Sequence, residues 1–223
     1  MAQKKQEPLL KQVEKAVEEL EEDAKKAYKE AKQVIEDMNE PVKPVPIDVS
    51  GRVKAEFAAE RVIAANEGDA RSLYDRSRFG ALLGNDKIQY SLHEALYLVE
   101  RGKMEVLDGK KQLSFDAFLK KARKIESNFW IRYSVFRDLR NRGYIVKTAL
   151  KFGADFRVYD RGIRPGEDHA KWIVYPVHEG ESLTWYEFSA KNRVAHSTKK
   201  RLLLGIVDDE SSVTYYECKW IRP

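Results

Sequence analysis

Three side chains in the last third of the chain form a chemically complete set: the phenol of Tyr159, the imidazole of His169 and the ammonium of Lys200. Breaking a phosphodiester that lies beside a 2′-hydroxyl needs a base for the hydroxyl proton and an acid for the leaving oxygen. It also needs a cation against the charge that builds on the phosphate oxygens. His169 suits the acid, because imidazole needs only a small shift from its ordinary ~6.5 to give up a proton near neutrality. Tyr159 suits the base only if a phenol that normally titrates near ~10 is made more acidic, which a neighbouring ammonium such as Lys200 would do. Lys200 itself suits the non-bridging oxygens; Lys199 points the other way if the strand alternates, and is then solvated. No metal is obligatory in this scheme.

The elements that must carry these groups are readable from periodicity. Strand patterns run through Ile145–Leu150, Asp155–Tyr159, Lys171–Val177, Leu202–Val207 and Val213–Trp220, with one helix expected near Phe188 to Ser197. The polar stretch Asp208 to Ser212 predicts a turn, so the last two strands form an antiparallel hairpin. Tyr159, His169 and Lys200 then all fall at strand ends or in loops. Before this region, Phe129 to Arg142 reads as a helix stopped by Gly143, and Ser114 opens another toward Ile125. Ser91-Leu-His-Glu94 is a capping box ahead of an apolar run, with Gly102 at the left-handed terminal position. Val53–Phe57 and Arg61–Ala65 read as strands. At the start, apolar or small residues from Leu10 to Met38 recur in alternating steps of three and four, predicting one long amphipathic helix that Pro41, Pro44 and Pro46 end. The fold class is therefore α/β (α+β). Residues 1–48 form a helical extension and linker, 49–127 a small mixed domain, and 128–223 a mixed-sheet domain with flanking helices.

Two segments carry a specific resemblance. Arg142-Gly-Tyr-Ile-Val-Lys-Thr-Ala-Leu-Lys-Phe-Gly-Ala-Asp-Phe-Arg-Val-Tyr-Asp-Arg-Gly162 and Arg193-Val-Ala-His-Ser-Thr-Lys-Lys-Arg-Leu-Leu-Leu203 resemble the two motifs of the archaeal tRNA-splicing endonucleases. The resemblance covers about Val53 to Pro223 and leaves out the first helix. It implies a restriction-endonuclease-like C-terminal domain in which Tyr159, His169 and Lys200 match the catalytic triad one by one. It also implies cleavage of precursor tRNA at both intron junctions of a bulge-helix-bulge, by a lyase-type transesterification that leaves a 2′,3′-cyclic phosphate and a 5′-hydroxyl without any cofactor. Arg193 matches the family arginine that stacks on an extruded base. A second stacking residue belongs near the chain end, where Lys219, Trp220 and Arg222 stand, and Trp220 is preferred. Asp208, Asp209 and Glu210 match an acidic turn that inserts into a basic cleft on a neighbouring subunit, and the last strand matches a dimer contact. Two junctions need two sites, so one triad per chain implies an oligomer: a homotetramer, or a heterotetramer with a structural subunit.

Composition is consistent with that reading. Residues 1–50 carry 9 Lys/Arg against 12 Asp/Glu, while residues 51–223 carry 32 against 24, so a body of net +8 follows a segment of −3. A basic body attracts polyanions in a salt-sensitive way. A single cysteine, Cys218, excludes an internal disulfide and any multi-cysteine metal site. No apolar run approaches the ~20 residues that span a bilayer, and the first residues lack a signal-peptide stretch, so the expectation is a soluble cytoplasmic protein with no membrane partner. Two rivals remain. One is a metal-dependent nuclease using Asp155, Glu167, Asp168 and Lys171; the other is a non-catalytic RNA-binding subunit. His93, His178 and His196 lack metal-ligand spacing.

Overall fold

The computed structural model describes residues 22–29, 32, 47, 49–84, 86–149, 153–163, 165–166 and 169–221. Residues 22–29 are helical (α1) and form part of a unit separate from the rest. Most of the expected helix from Leu10 to Met38, and the prolines meant to end it, lie outside the described residues. The described residues from Ile47 onward belong to one compact unit that holds two sheets.

The first sheet has the strand order β3-β4-β2-β1-β5-β6. Its strands are β1 (Val53–Ala58), β2 (Arg61–Ala65), β3 (Ala81–Leu83), β4 (Lys87–Ser91), β5 (Met104–Asp108) and β6 (Lys111–Gln112). Helix α2 (Gly68–Asp75) connects β2 to β3, α3 (Leu92–Glu100) connects β4 to β5, and α4 (Phe115–Ile125) follows β6. The capping box at Ser91 forms as the spacing predicts: Glu94 N–H donates to Ser91 Oγ at 3.2 Å and Ser91 N–H donates to the Glu94 carboxylate at 3.0 Å. Gly102 closes that helix at φ 66°, a conformation glycine adopts without steric cost.

Helix α5 (Phe129–Asn141) leads into the second sheet, ordered β11-β10-β9-β8-β7. Its strands are β7 (Ile145–Thr148), β8 (Phe156–Tyr159), β9 (Trp172–His178), β10 (Arg201–Val207) and β11 (Val213–Cys218). β9 and β10 are parallel and joined across α6 (Trp185–Ser197), whereas the other neighbouring pairs are antiparallel. The hairpin around Asp208–Ser212 is as expected, with Val207 opposite Val213. α5 covers one face so closely that a Cβ on Gly205 would stand 2.9 Å from Val135. α6 covers the other face, where Ala195 and Phe188 meet Ile173, Tyr175, Leu202 and Leu204. The helix starts three residues earlier than periodicity suggests. Thr184 and Glu187 form a second capping box there, with Thr184 N–H donating to Glu187 at 2.8 Å and Glu187 N–H to Thr184 Oγ1 at 3.2 Å.

The two sheets are locked by a buried pair. Glu94, on α3, accepts from Lys147 Nζ on β7 at 2.8 Å and from Gly80 N–H at 3.0 Å. Burial by itself would raise the Glu94 pKa, but Lys147 and the Ser91 and Gly80 amides outweigh it and keep the carboxyl below its ordinary range. Arg140 lies beside this pair, buried, its guanidinium 3.9 Å from the Phe79 ring centroid and donating to Ser77 O at 2.8 Å. His93, one residue before Glu94, is enclosed by Phe129, Phe156 and Phe136. Burial, helped by nearby Arg132, drops its pKa to about 3. Its Nε2 lies 3.7 Å from Glu126, yet a neutral imidazole makes no ion pair there.

Candidate active site

Tyr159 ends β8, with its neighbours fixed by register. Val158, Trp172 and Arg201 stand in one row across β8, β9 and β10. At the edge of that row Lys171 N–H donates to Val158 O at 2.9 Å, one residue out of the β8–β9 register, and Arg201 N–H donates to Lys171 O at 3.0 Å. The preceding row on the α6 face is Arg157, Ile173 and Leu202. Alternation returns to that face at Tyr159, while Lys171 leans over the Trp172 ring and pairs with Asp160. Two strand spacings separate Tyr159 from Lys200, about 10 Å between backbones. Tyr159 and Lys200 thus stand at the same end of the sheet.

Lys200 is set by the end of α6, not by strand alternation. Lys200 N–H donates to Ala195 O and Lys199 N–H to His196 O, the paired bonds of a Schellman cap, with Lys199 in the left-handed conformation at φ 55°. Lys199 is exposed as expected, but for a different reason: it is a helix cap outside the strand. Lys200 Nζ donates to Thr198 O at 2.8 Å, which holds the ammonium at the head of β10. His169 is exposed and stands two residues before Lys171, in the segment that enters β9.

The electrostatics at Tyr159 differ from the sequence expectation. Tyr159 is 4% exposed and packs against Ile145, Ala170 and Ile163, and this burial raises the phenol above its ordinary pKa. The cation that opposes the rise is Arg157, whose guanidinium carbon lies 5.9 Å from the ring centroid. Lys171 is paired with Asp160 at 3.2 Å. On the α5 face of the same sheet end, Glu217 accepts from Trp172 Nε1 at 2.7 Å and from Arg201 at 3.3 Å.

Both residues considered for base stacking lie near a third. Trp220 is half exposed and makes an edge-to-face contact with His196, ring centroids 4.5 Å apart. His196 and exposed Arg193 are three residues apart on α6, hence neighbours on the helix surface. Nothing along the chain links His196 to Trp220, so this contact is visible only in the folded protein. Of the alternatives, Lys219 is exposed and Arg222 lies outside the described residues.

The acidic turn sits elsewhere. Eight residues of chain along β10 separate Asp208 from Lys200, about 26 Å at strand rise. His178 Nε2 lies 3.1 Å from Asp209 and Asp209 N–H donates to Glu179 at 3.4 Å, tying the turn to the end of β9. A cleft of about 550 Å³ opens between the two sheets, where Arg61, Arg78, Lys147 and Arg157 face Glu60, Glu94 and Glu126.

Of the carboxylates weighed for a metal-dependent route, Asp155 is paired with Arg132, and Glu167 and Asp168 lie outside the described residues. Among the described residues no group of three or more His, Cys, Asp or Glu could hold a metal ion. Nor is any helix among them long and apolar enough to cross a membrane.

Residues 53–119 match the family model for the tRNA intron endonuclease N-terminal domain, and residues 129–215 match that for its catalytic C-terminal domain. A tRNA-splicing endonuclease of Thermococcus onnurineus is 41% identical over 170 residues, covering 76% of this chain and 97% of the relative. One from Nanoarchaeum equitans is 47% identical over 154 residues, covering 65% and 99%. One from Methanothermobacter thermautotrophicus is 41% identical over 172 residues, covering 77% and 99%. The relatives are matched nearly end to end, whereas residues 1–52 of this chain precede both family models.

Proposed function

The chain belongs to the tRNA intron endonuclease family, and from that premise we propose that it cuts precursor tRNA at both exon–intron junctions of a bulge-helix-bulge by internal transesterification. One observation carries the reading. Tyr159 ends β8 and Lys200 precedes β10 at one end of three adjacent strands, with His169 on the segment that enters the middle strand. A phosphodiester laid across that end would meet a phenol from β8, an imidazole from the segment entering β9 and an ammonium from the head of β10.

In the proposed reaction Tyr159 takes the proton of the 2′-hydroxyl, and the resulting oxygen attacks the adjacent phosphorus. The bond from phosphorus to the 5′-oxygen breaks, and His169 protonates that oxygen. The products are a 2′,3′-cyclic phosphate and a 5′-hydroxyl, and Lys200 offsets the charge on the non-bridging oxygens during transfer. No cofactor takes part in this scheme. Arg193, one helical turn from His196, and Trp220, in contact with His196, supply a cation and an aromatic face for an unstacked bulge base.

The same reading requires an assembly. The acidic turn at Asp208, Asp209 and Glu210 stands a sheet length away from Tyr159, so it serves a neighbouring subunit's cationic cleft and not its own site. The assembly is a homotetramer, with a heterotetramer as the alternative that mass measurement separates. We further propose that the protein acts in the cytoplasm.

The test is incubation of the purified full chain with a bulge-helix-bulge RNA in excess chelator, followed by analysis of the new ends. Cyclic phosphate and 5′-hydroxyl termini, lost in His169→Ala, are expected. Activity abolished by the chelator, or 5′-phosphate ends, would overturn the mechanism.

A further inference from the structure

We propose that Arg157 is a positioning residue for the cleavage reaction, holding the Tyr159 ring in its pocket and making its phenolate form accessible. The inference rests on the reading of Tyr159 as the base. Arg157 and Tyr159 are two residues apart on β8 and so share a face, and the guanidinium lies over the ring.

Arg157 is an unfavourable residue to keep at this position unless its charge is used. Register puts it directly opposite Lys147 on β7, and like charges facing each other across an antiparallel pair are destabilising. Lys147 is compensated by Glu94 and by Gly80 O, at 2.8 and 2.7 Å. Arg157 Nε, in contrast, is buried without a hydrogen-bond partner among the described residues. Its side chain forms part of the cleft wall between the sheets, and its guanidinium lies over the phenol ring.

The other charged groups around Tyr159 are differently engaged. On β9, Lys171 is held by Asp160, which follows Tyr159 in the chain. At the head of β10, Lys200 donates to Thr198 O. His169 lies on the segment entering β9, and the β7 residue opposite Tyr159 is the apolar Ile145. Burial drives the phenol toward its neutral form, and Arg157 is the cation that pulls it back.

The test compares Arg157→Gln and Arg157→Met, two neutral replacements of which one folded variant suffices, with Arg157→Lys, which keeps a charge. Folding is checked by circular dichroism. Carbon-13 at tyrosine Cζ reports the titration directly, with the Tyr159 signal assigned by its loss in Tyr159→Phe. In the neutral variants the Tyr159 midpoint should rise by about one pH unit, and single-turnover cleavage near neutrality should fall about tenfold while KM stays within about twofold. In Arg157→Lys the midpoint should stay within about half a unit of the parent. An unmoved midpoint in a folded neutral variant overturns the proposal, as does a lysine variant shifted as far as the neutral ones. The underlying reading fails separately, if Tyr159→Phe cleaves at the parental rate.

Discussion

Replacing Glu94 by Gln removes the negative member of the pair that joins the two sheets. The Glu94 and Lys147 side chains are only 7% and 14% exposed, and Lys147 would be left buried with Gly80 O and no counter-charge. Breaking a buried pair by removing one partner costs about 3–5 kcal/mol. For a chain of this length that lowers the melting temperature by about 6–20 °C. The double variant Glu94→Gln/Lys147→Met removes the stranded charge, so it should recover part of the loss, giving a coupling of about 1–3 kcal/mol. Because the Glu94 pKa lies below its ordinary range in the fold, its contribution is complete above that range. It fades as pH falls through the lowered value, so the cost of Glu94→Gln should shrink in acid. The assay is urea denaturation at neutral and acid pH on all three variants. A cost below about 1 kcal/mol for Glu94→Gln, or simple additivity of the two changes, would show that the pair does not hold the sheets together.

Three further outcomes are expected. His93 binds its proton only near pH 3 in the fold, so stability should fall by up to about 1.4 kcal/mol per pH unit below ~6.5, and His93→Phe should flatten that limb in urea titrations. Trp220→Ala should weaken RNA binding by about 1–3 kcal/mol with little change in single-turnover kcat; a loss confined to kcat would argue against a stacking role. Neutralising Asp208, Asp209 and Glu210 together should lower the solution mass measured by light scattering, and unchanged mass would remove the turn from the assembly interface.

What could be read along the chain followed from local rules. Ser91 and Glu94 cap a helix because a hydroxyl and a carboxylate three residues apart satisfy two amides that helix geometry leaves open. Gly102 and Gly143 stop helices because they take positive φ cheaply. The polar run Asp208–Ser212 fixed a hairpin, and the two motifs around Tyr159 and Lys200 identified the family that the matches at 53–119 and 129–215 establish. Thr184 and Glu187 obey the same capping rule and were legible too, although apolar periodicity pointed to a later start.

Only the tertiary structure decided the rest, because it depends on which residues distant in sequence become neighbours. Lys147 and Glu94, and His93 and Phe156, meet when one sheet is laid against the other. Strand pairing brings the ends of β8, β9 and β10 together, and with them Tyr159, Lys171 and Arg201, whereas a helix cap, not strand alternation, sets Lys199 and Lys200. His196 meets Trp220 only after the last strand has run back along β10. Arg157, two residues away, is a cation that lies over the Tyr159 ring, and sequence could not single it out. Proton affinity depends on burial and on distance through space, and the fold sets both.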